Sequence, residues 1–415
     1  MSFSPTQRRL AAAGSLALAA TVALATPAPA QAAGSRAYSG SAYGSTAKVG
    51  SLVNSGKTSS VGLCTTTAPK SASNNTAKIV LPGVGRIGAA TTKVTTSKSS
   101  GQLTTSTTTT GSTSLVGDLV QASAITSTAK VKYSSAGYTR AASTVFTNLR
   151  VAGTSVTARP GVDTIISIPD VATVRINGQS TSTTNGAHSI TVTGLRITLL
   201  AGNRLGLPTG DIVVGVATSD LRDPVHRLAS GAAYGTLVNV AGVVKSGATA
   251  AVGQPCAGSN GVTLTNSVDS TTLGSALHVG AVRSATKSTD TSAKTLSVAT
   301  NTVAGIDLLD GVVTIDAVEA KAATTAKGTS TPSSSSSGTK VVGLKVNGVS
   351  RTVSTAENTS INIAGVGTLY LHRALRTSTG IQVYAVQLKL STASQGLGVG
   401  TVITVGSAKT GVAAH

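Results

Sequence analysis

Cysteine, aromatic side chains and acid are what this 415-residue chain has least of. Two cysteines exclude a disulfide-dense mini-protein. There is no tryptophan, and there are only two phenylalanines and seven tyrosines. That leaves little to stack on bases, so no specific nucleic-acid partner is expected. Thirteen acidic side chains stand against 33 basic ones, a formal net charge of +20. Charged residues are 11% of the chain, less than half the usual share of a soluble domain. A disordered tail is nevertheless excluded, because 40% of residues are hydrophobic. The 46 glycines follow no three-residue period, which excludes collagen. Beyond the N-terminus no apolar run reaches the roughly 18 residues of a spanning helix, so no transmembrane segment is expected in the mature chain.

What is present begins with an address. Arg8 and Arg9 precede an uncharged apolar stretch from Leu10 to Ala25, and Ala30-Gln31-Ala32 supplies a small-x-small cleavage pattern. Residues 1–32 therefore read as a signal peptide, with the mature chain starting at Ala33 and localised outside the cell. Removing Arg8 and Arg9 leaves 31 basic and 13 acidic side chains, net +18. Leu207-Pro208-Thr209-Gly210 looks like a sorting motif but lacks one residue and sits mid-chain, so it reads as a turn.

The chain is duplicated. At an offset of 191, residues 40–63 and 231–254 are identical at 11 of 24 positions. The motif Ala42-Tyr43-Gly44 recurs as Ala233-Tyr234-Gly235, and one residue of slip later Cys64 matches Cys256. Further on, Val174-Arg175-Ile176-Asn177-Gly178 pairs with Leu344-Lys345-Val346-Asn347-Gly348, which drops the offset to about 170. On that alignment the first copy holds some 20 extra residues, placed in the tract from Thr91 to Ser114. The copies span 33–220 and 229–415, joined by a charged, proline-containing linker at 221–228.

Short runs alternate Val, Ile or Leu with Thr or Ser, as in Ile190-Thr191-Val192-Thr193. Such β-branched residues favour pleated surfaces. Asn177-Gly178, Asn185-Gly186, Asn260-Gly261, Asp310-Gly311 and Asn347-Gly348 read as hairpin turns. The expectation is an all-β protein of two tandem homologous sandwich-like domains, with a β-solenoid as the alternative. Cores of Val, Ile, Leu and Ala are expected. Leu277–Ala285 is the one stretch left open as helix. Ser97–Ser114 and Thr324–Thr339 read as loops or linkers and as candidates for O-glycosylation.

The signal peptide, the Ala-Tyr-Gly motif opening a Val-rich strand, the following Cys and the Asn-Gly hairpins resemble the choice-of-anchor P family of actinobacterial exported proteins. Ala42, Tyr43, Gly44, Ala233, Tyr234, Gly235, Asn177-Gly178 and Asn347-Gly348 carry the resemblance. It implies cell-surface or secreted β-domains of uncharacterised activity with varied anchors. No anchor is evident in this sequence.

Chemistry is sparsely represented. Cys64 and Cys256 occupy equivalent positions, and exported thiols tend to oxidise. A bridge between them is favoured over two separate thiols or bonds to another chain. Neither has a neighbouring His pattern, so neither reads as a nucleophile. His188, His226, His278, His372 and His415 lack metal-ligand spacing. Asp220 and Asp223 flank Arg222 and read as a local ion-pair set. Asp307, Asp310, Asp316 and Glu319 could share a face and hold Ca²⁺ weakly, though a solvated edge is the simpler reading. No catalytic, cofactor or metal site is assigned, and no enzymatic activity is expected. The dispersed basic excess points to polyanions: anionic cell-wall polymers or acidic glycans. A secreted structural or adhesive protein is the first reading. A carbohydrate-binding or carbohydrate-processing module, with Tyr43 and Tyr234 as stacking groups, is the alternative. Self-assembly through strand edges is a third.

Overall fold

The computed structural model describes residues 35–50, 52–240, 243–244, 248–354 and 356–413; the signal-peptide assignment lies outside them. No described residue is helical, so the chain is all-β, with several antiparallel sheets and none closed into a barrel. Fifteen described strands run eight residues or longer. In the first half these are β1 (Ser35–Val49), β2 (Ala90–Ser97), β3 (Gln102–Thr110), β4 (Ala124–Ser134), β5 (Gly137–Thr147), β6 (Ala172–Thr184), β7 (Ala187–Leu199) and β8 (Gly210–Val225). In the second half they are β9 (Ala229–Val240), β10 (Val282–Asp290), β11 (Lys294–Leu308), β12 (Val313–Lys327), β13 (Gly367–Thr377), β14 (Gly380–Leu390) and β15 (Val402–Val412).

In the first half, β6-β7-β8-β1 form the centre of a seven-stranded sheet. It faces a five-stranded sheet, β5-β4-β3-β2 plus Lys70–Thr76, and shares an apolar core with a six-stranded sheet of short strands. The second half repeats the plan: β9-β15-β14-β13 are central to a seven-stranded sheet packed on a ten-stranded one built around β10-β11-β12. No strand of one half pairs with the other among the described residues. Ala33–His415 nonetheless make one compact unit.

The repeated motif has a packing cause. On β1, Ala42 points inward and is buried while Tyr43 faces out. A Cβ on Gly44 would sit 2.6 Å from the Cβ of Ala90, and one on Gly235 would sit 2.2 Å from Cγ1 of Val282. Only a hydrogen fits where the opposing sheet comes this close.

The duplication runs in step throughout, contrary to the alignment above. Leu149-Arg150-Val151 is the counterpart of Leu344-Lys345-Val346, 195 positions on; the turn residues Ala152-Gly153 and Asn347-Gly348 follow, all with positive φ. Near the end of each half, Gly215 (φ 69°) matches Gly406 (φ 71°), 191 positions on. There is no 20-residue insertion. Asn177 is no turn residue: it bends β6 from within at φ 53°, and its counterpart is His372 at φ 47°.

Four further expectations are corrected. Leu277–Ala285 is not helix but two strand segments, Leu277–Val279 and the start of β10, broken at Gly280. The tract Ser97–Ser114 is not a loop, because β3 crosses its middle and buries Thr104, Ser106, Thr108 and Thr110 completely. The residues called a linker belong largely to β8, which continues to Val225. The Thr324–Thr339 tract is partly strand, since β12 runs to Lys327 and Ser333–Ser335 pairs back on it.

The core is aliphatic in part only. Ile87, Leu115, Ile125, Phe146, Leu149, Ile197 and Ile212 fill one end of the first half. Towards the other end hydroxyls tie the layers together. Ser106 donates to the Thr218 carbonyl (2.6 Å), Thr108 to that of Val216 (2.8 Å) and Ser219 to that of Ala129 (2.8 Å). Each bond satisfies a buried polar group that would otherwise cost stability.

Candidate binding face

The acids are mostly committed elsewhere. Asp118, Asp163, Asp170 and Asp310 occupy left-handed turn positions. Asp163 pairs with Arg175 (2.6 Å), Asp211 with Arg196 (3.5 Å), Asp223 with Arg36 (3.1 Å), Asp290 with His226 (3.3 Å) and Glu357 with Arg376 (2.5 Å). The Arg376 guanidinium holds the Glu357 carboxyl down to about 2. Every ion pair among the described residues is thus made by Arg or His, and none by Lys.

Lysines gather on the outer face of the five-stranded sheet, and no strand of that sheet contains an acid. In-register rows run Ser73–Lys93–Thr107–Thr128–Ser143 and Ser71–Thr95–Thr105–Lys130–Ala141, with Lys132 between Leu103 and Thr139. The intervening residues Val94, Ser106, Ala129 and Val131 are buried, so these rows face solvent. Lys93 and Lys130 are exposed. The result is a flat array of hydroxyls, about 4.8 Å apart between strands, carrying unpaired cations. Hydroxyls donate hydrogen bonds and ammonium groups neutralise charge, a pairing suited to phosphate or carboxylate oxygens.

No family model, no curated protein and no solved structure matches this chain.

The other residues expected at a site lie elsewhere. Cys64 and Cys256 are bonded (S–S 2.01 Å, Cα–Cα 5.6 Å) and link the two halves. They line a cleft of about 680 Å³ together with Leu63, Leu228, Gln254 and Thr379. Tyr43 lies on the outer face of the first half, 4.9 Å from Lys57 Nζ, and Tyr234 lies on the corresponding face of the second half. Asp307, Asp310, Asp316 and Glu319 do not converge: Asp307 accepts from the Gly311 N–H (2.6 Å), Asp310 shapes a turn, and Glu319 sits in register with Lys340. Among the described residues no three His, Cys, Asp or Glu side chains stand together as a metal cage.

Two constellations escaped sequence reasoning. Arg36 lies 3.5 Å over the Tyr133 ring, Tyr138 stacks on His188 at 3.6 Å, and Tyr138 donates to Asp223 (2.8 Å). Burial and the Asp223 acceptor push the Tyr138 hydroxyl well above its usual range, so the group is a fixed donor. Nothing in the local sequence flags it, because its members come from five separate strands.

The second is the run Asp220–Arg227. It does not form a local ion-pair set. Arg222 is 4% exposed and donates to the carbonyls of Cys256 (3.0 Å), Gly258 (2.6 Å) and Asn185 (2.9 Å). Arg227, equally buried, donates to Gly328 (2.6 Å) and Ser330 (2.9 Å). Asp220 has an oxygen buried without a hydrogen-bond partner. Burial pushes its carboxyl up to about 6, although Arg222, Arg140 and the Leu221 N–H pull the other way. A carboxyl whose folded-state value is raised favours folding when protonated. That contribution is present below about pH 4 and is lost as pH rises through about 6. Asp220→Asn is therefore expected to stabilise the protein at pH 7 by up to about 3 kcal/mol, and little at pH 4. Denaturant unfolding at both pH values checks this, and an equal difference at both would refute it.

Proposed function

We propose that this is a secreted, surface-associated structural or adhesive protein that binds anionic wall or matrix polymers without enzymatic chemistry. The observation that carries the reading is the acid-free five-stranded face with Lys93, Lys130 and Lys132 unpaired among rows of threonine. A rigid sheet presents these cations on a backbone already ordered before binding, and a repeating polyanion meets several at once. The signal-like N-terminus and the resemblance to choice-of-anchor P proteins support the extracellular setting.

The test is elution from isolated cell walls with rising NaCl. The intact protein is expected to elute at moderate salt, because exposed charge pairs are screened within a Debye length of about 10 Å at 0.1 M. The triple variant Lys93→Gln, Lys130→Gln, Lys132→Gln is expected to elute earlier, with affinity reduced about tenfold at low salt, roughly 1.4 kcal/mol. Identical elution of the two proteins would sink the assignment to this face.

A further inference from the structure

The outer face of the second half's seven-stranded sheet is chemically different. One in-register row across β9, β15, β14 and β13 reads Tyr234–Ser407–Tyr384–Arg373. The next outward row reads Leu237–Thr404–Gln387–Tyr370. Three of the seven tyrosines therefore share one sheet face. They are not core residues: all three are half-buried, while Ala385, Ala408 and Leu371, facing the other way, are fully buried.

The phenols lie along the sheet. The Tyr234 hydroxyl bonds to Ser407 on the neighbouring strand, and the Arg373 guanidinium rests 5.2 Å over the Tyr370 ring while donating to Gln387 Oε1. Gln387 in turn donates to Thr404 (3.2 Å). No strand of this sheet contains an acid, and Lys409 stands exposed one row from Tyr234 and Tyr384.

The duplication provides the control. At the positions of Tyr384, Tyr370 and Arg373 the first half carries Thr193, Arg175 and Gly178 on the same backbone plan. Tyr43 keeps the position of Tyr234, but the aromatic groups at 370 and 384 and the arginine at 373 are not demanded by the fold.

We infer that this face binds a linear glycan chain bearing carboxylates, with Tyr234 and Tyr384 as stacking platforms and Arg373 and Lys409 as carboxylate partners. Tyr234 and Tyr384 stand two strands apart, about 10 Å, so a chain crossing the strands sets alternate sugar rings over the two phenols. An apolar sugar face packs on a phenol as on any aromatic ring, and Arg geometry matches a carboxylate. The absence of acid excludes repulsion of a uronate chain. This face is separate from the lysine face, so either assignment stands without the other.

The experiment is isothermal titration with hexagalacturonate as the acidic probe and cellohexaose as the neutral one. Saturable binding of hexagalacturonate is expected, at least tenfold tighter than cellohexaose. Tyr384→Thr, which installs the residue the first half already tolerates, is expected to weaken it about tenfold, the size of one lost stacking contact. Tyr384→Thr and its parent are both compared on the Lys93/Lys130/Lys132 triple-variant background, so that binding of the acidic probe at the lysine face does not mask the loss. Should Tyr384→Thr fail to fold, Lys409→Gln on an exposed side chain decides, with a loss of about threefold expected. No saturable binding, or unchanged binding by the folded variant, overturns the proposal. Equal affinity for cellohexaose overturns its acidic specificity.

Discussion

Serine at both Cys64 and Cys256 is expected to lower the free energy of unfolding by up to about 5 kcal/mol. The bond joins residues 192 positions apart. A cross-link over so long a loop removes many conformations from the unfolded chain, and the chain-entropy treatment grows with the logarithm of loop length. The native side of the balance changes less. Cys256 is half-buried against Ala37, Val225, Ala257 and Leu228, a small apolar seam between the halves that serine only weakly disturbs. Denaturant titrations of the double variant, and of the unaltered protein with and without reductant, check the expectation. An unchanged midpoint would show that the seam alone fixes the halves together.

Replacement of Arg222 by methionine is expected to cost about 3–5 kcal/mol. The guanidinium reaches three carbonyls, two of them on the second half, from a strand of the first. Methionine has similar length and fills the space, but it leaves those acceptors buried and unpaired. Burial of the cation pulls its own proton affinity down, while Asp220, Asp290 and Asp223 nearby offset this. Lysine at the same site keeps the charge but cannot fork to several acceptors, so it is expected to recover only part of the loss. A loss below about 1 kcal/mol for methionine, the scale of an exposed ion pair, would refute the reading.

The fold class was legible because β-branched alternation and turn dipeptides are local signals. So was the Cys64–Cys256 pair, because the opening repeat from Gly40 to Cys64 is dense in identities. The rest of the alignment was lost for a physical reason. In a chain of Val, Thr, Ser and Gly, any hairpin resembles any other, and Asn-Gly at 177 and 347 marked a bend in one half and a turn in the other. The true register is fixed by backbone geometry, as at Asn177 and His372, where side chains differ but the bend is shared.

The threonine tract misled for the opposite reason. Its two faces have the same composition, so no alternation reveals that Thr104, Ser106 and Thr108 are buried and Thr105 and Thr107 are not. The buried arginines were hidden by charge, which suggests solvent until the carbonyls that receive them are known. The tyrosine face needed both halves in register before Thr193 could be set against Tyr384.

The halves are joined twice, once by the chain at Val225–Ala229 and once by sulfur. A single strand of backbone is a swivel; two attachments make a fixed corner. With Arg222 and Arg227 pinned to the far side, the lysine face of one half and the tyrosine face of the other hold a set angle. Reduction would leave the Arg222 contacts, the small apolar seam and one backbone crossing to hold that angle. On the proposed reading of the two faces, the oxidised protein would hold two polymers as a rigid joint and the reduced protein would hold them less firmly.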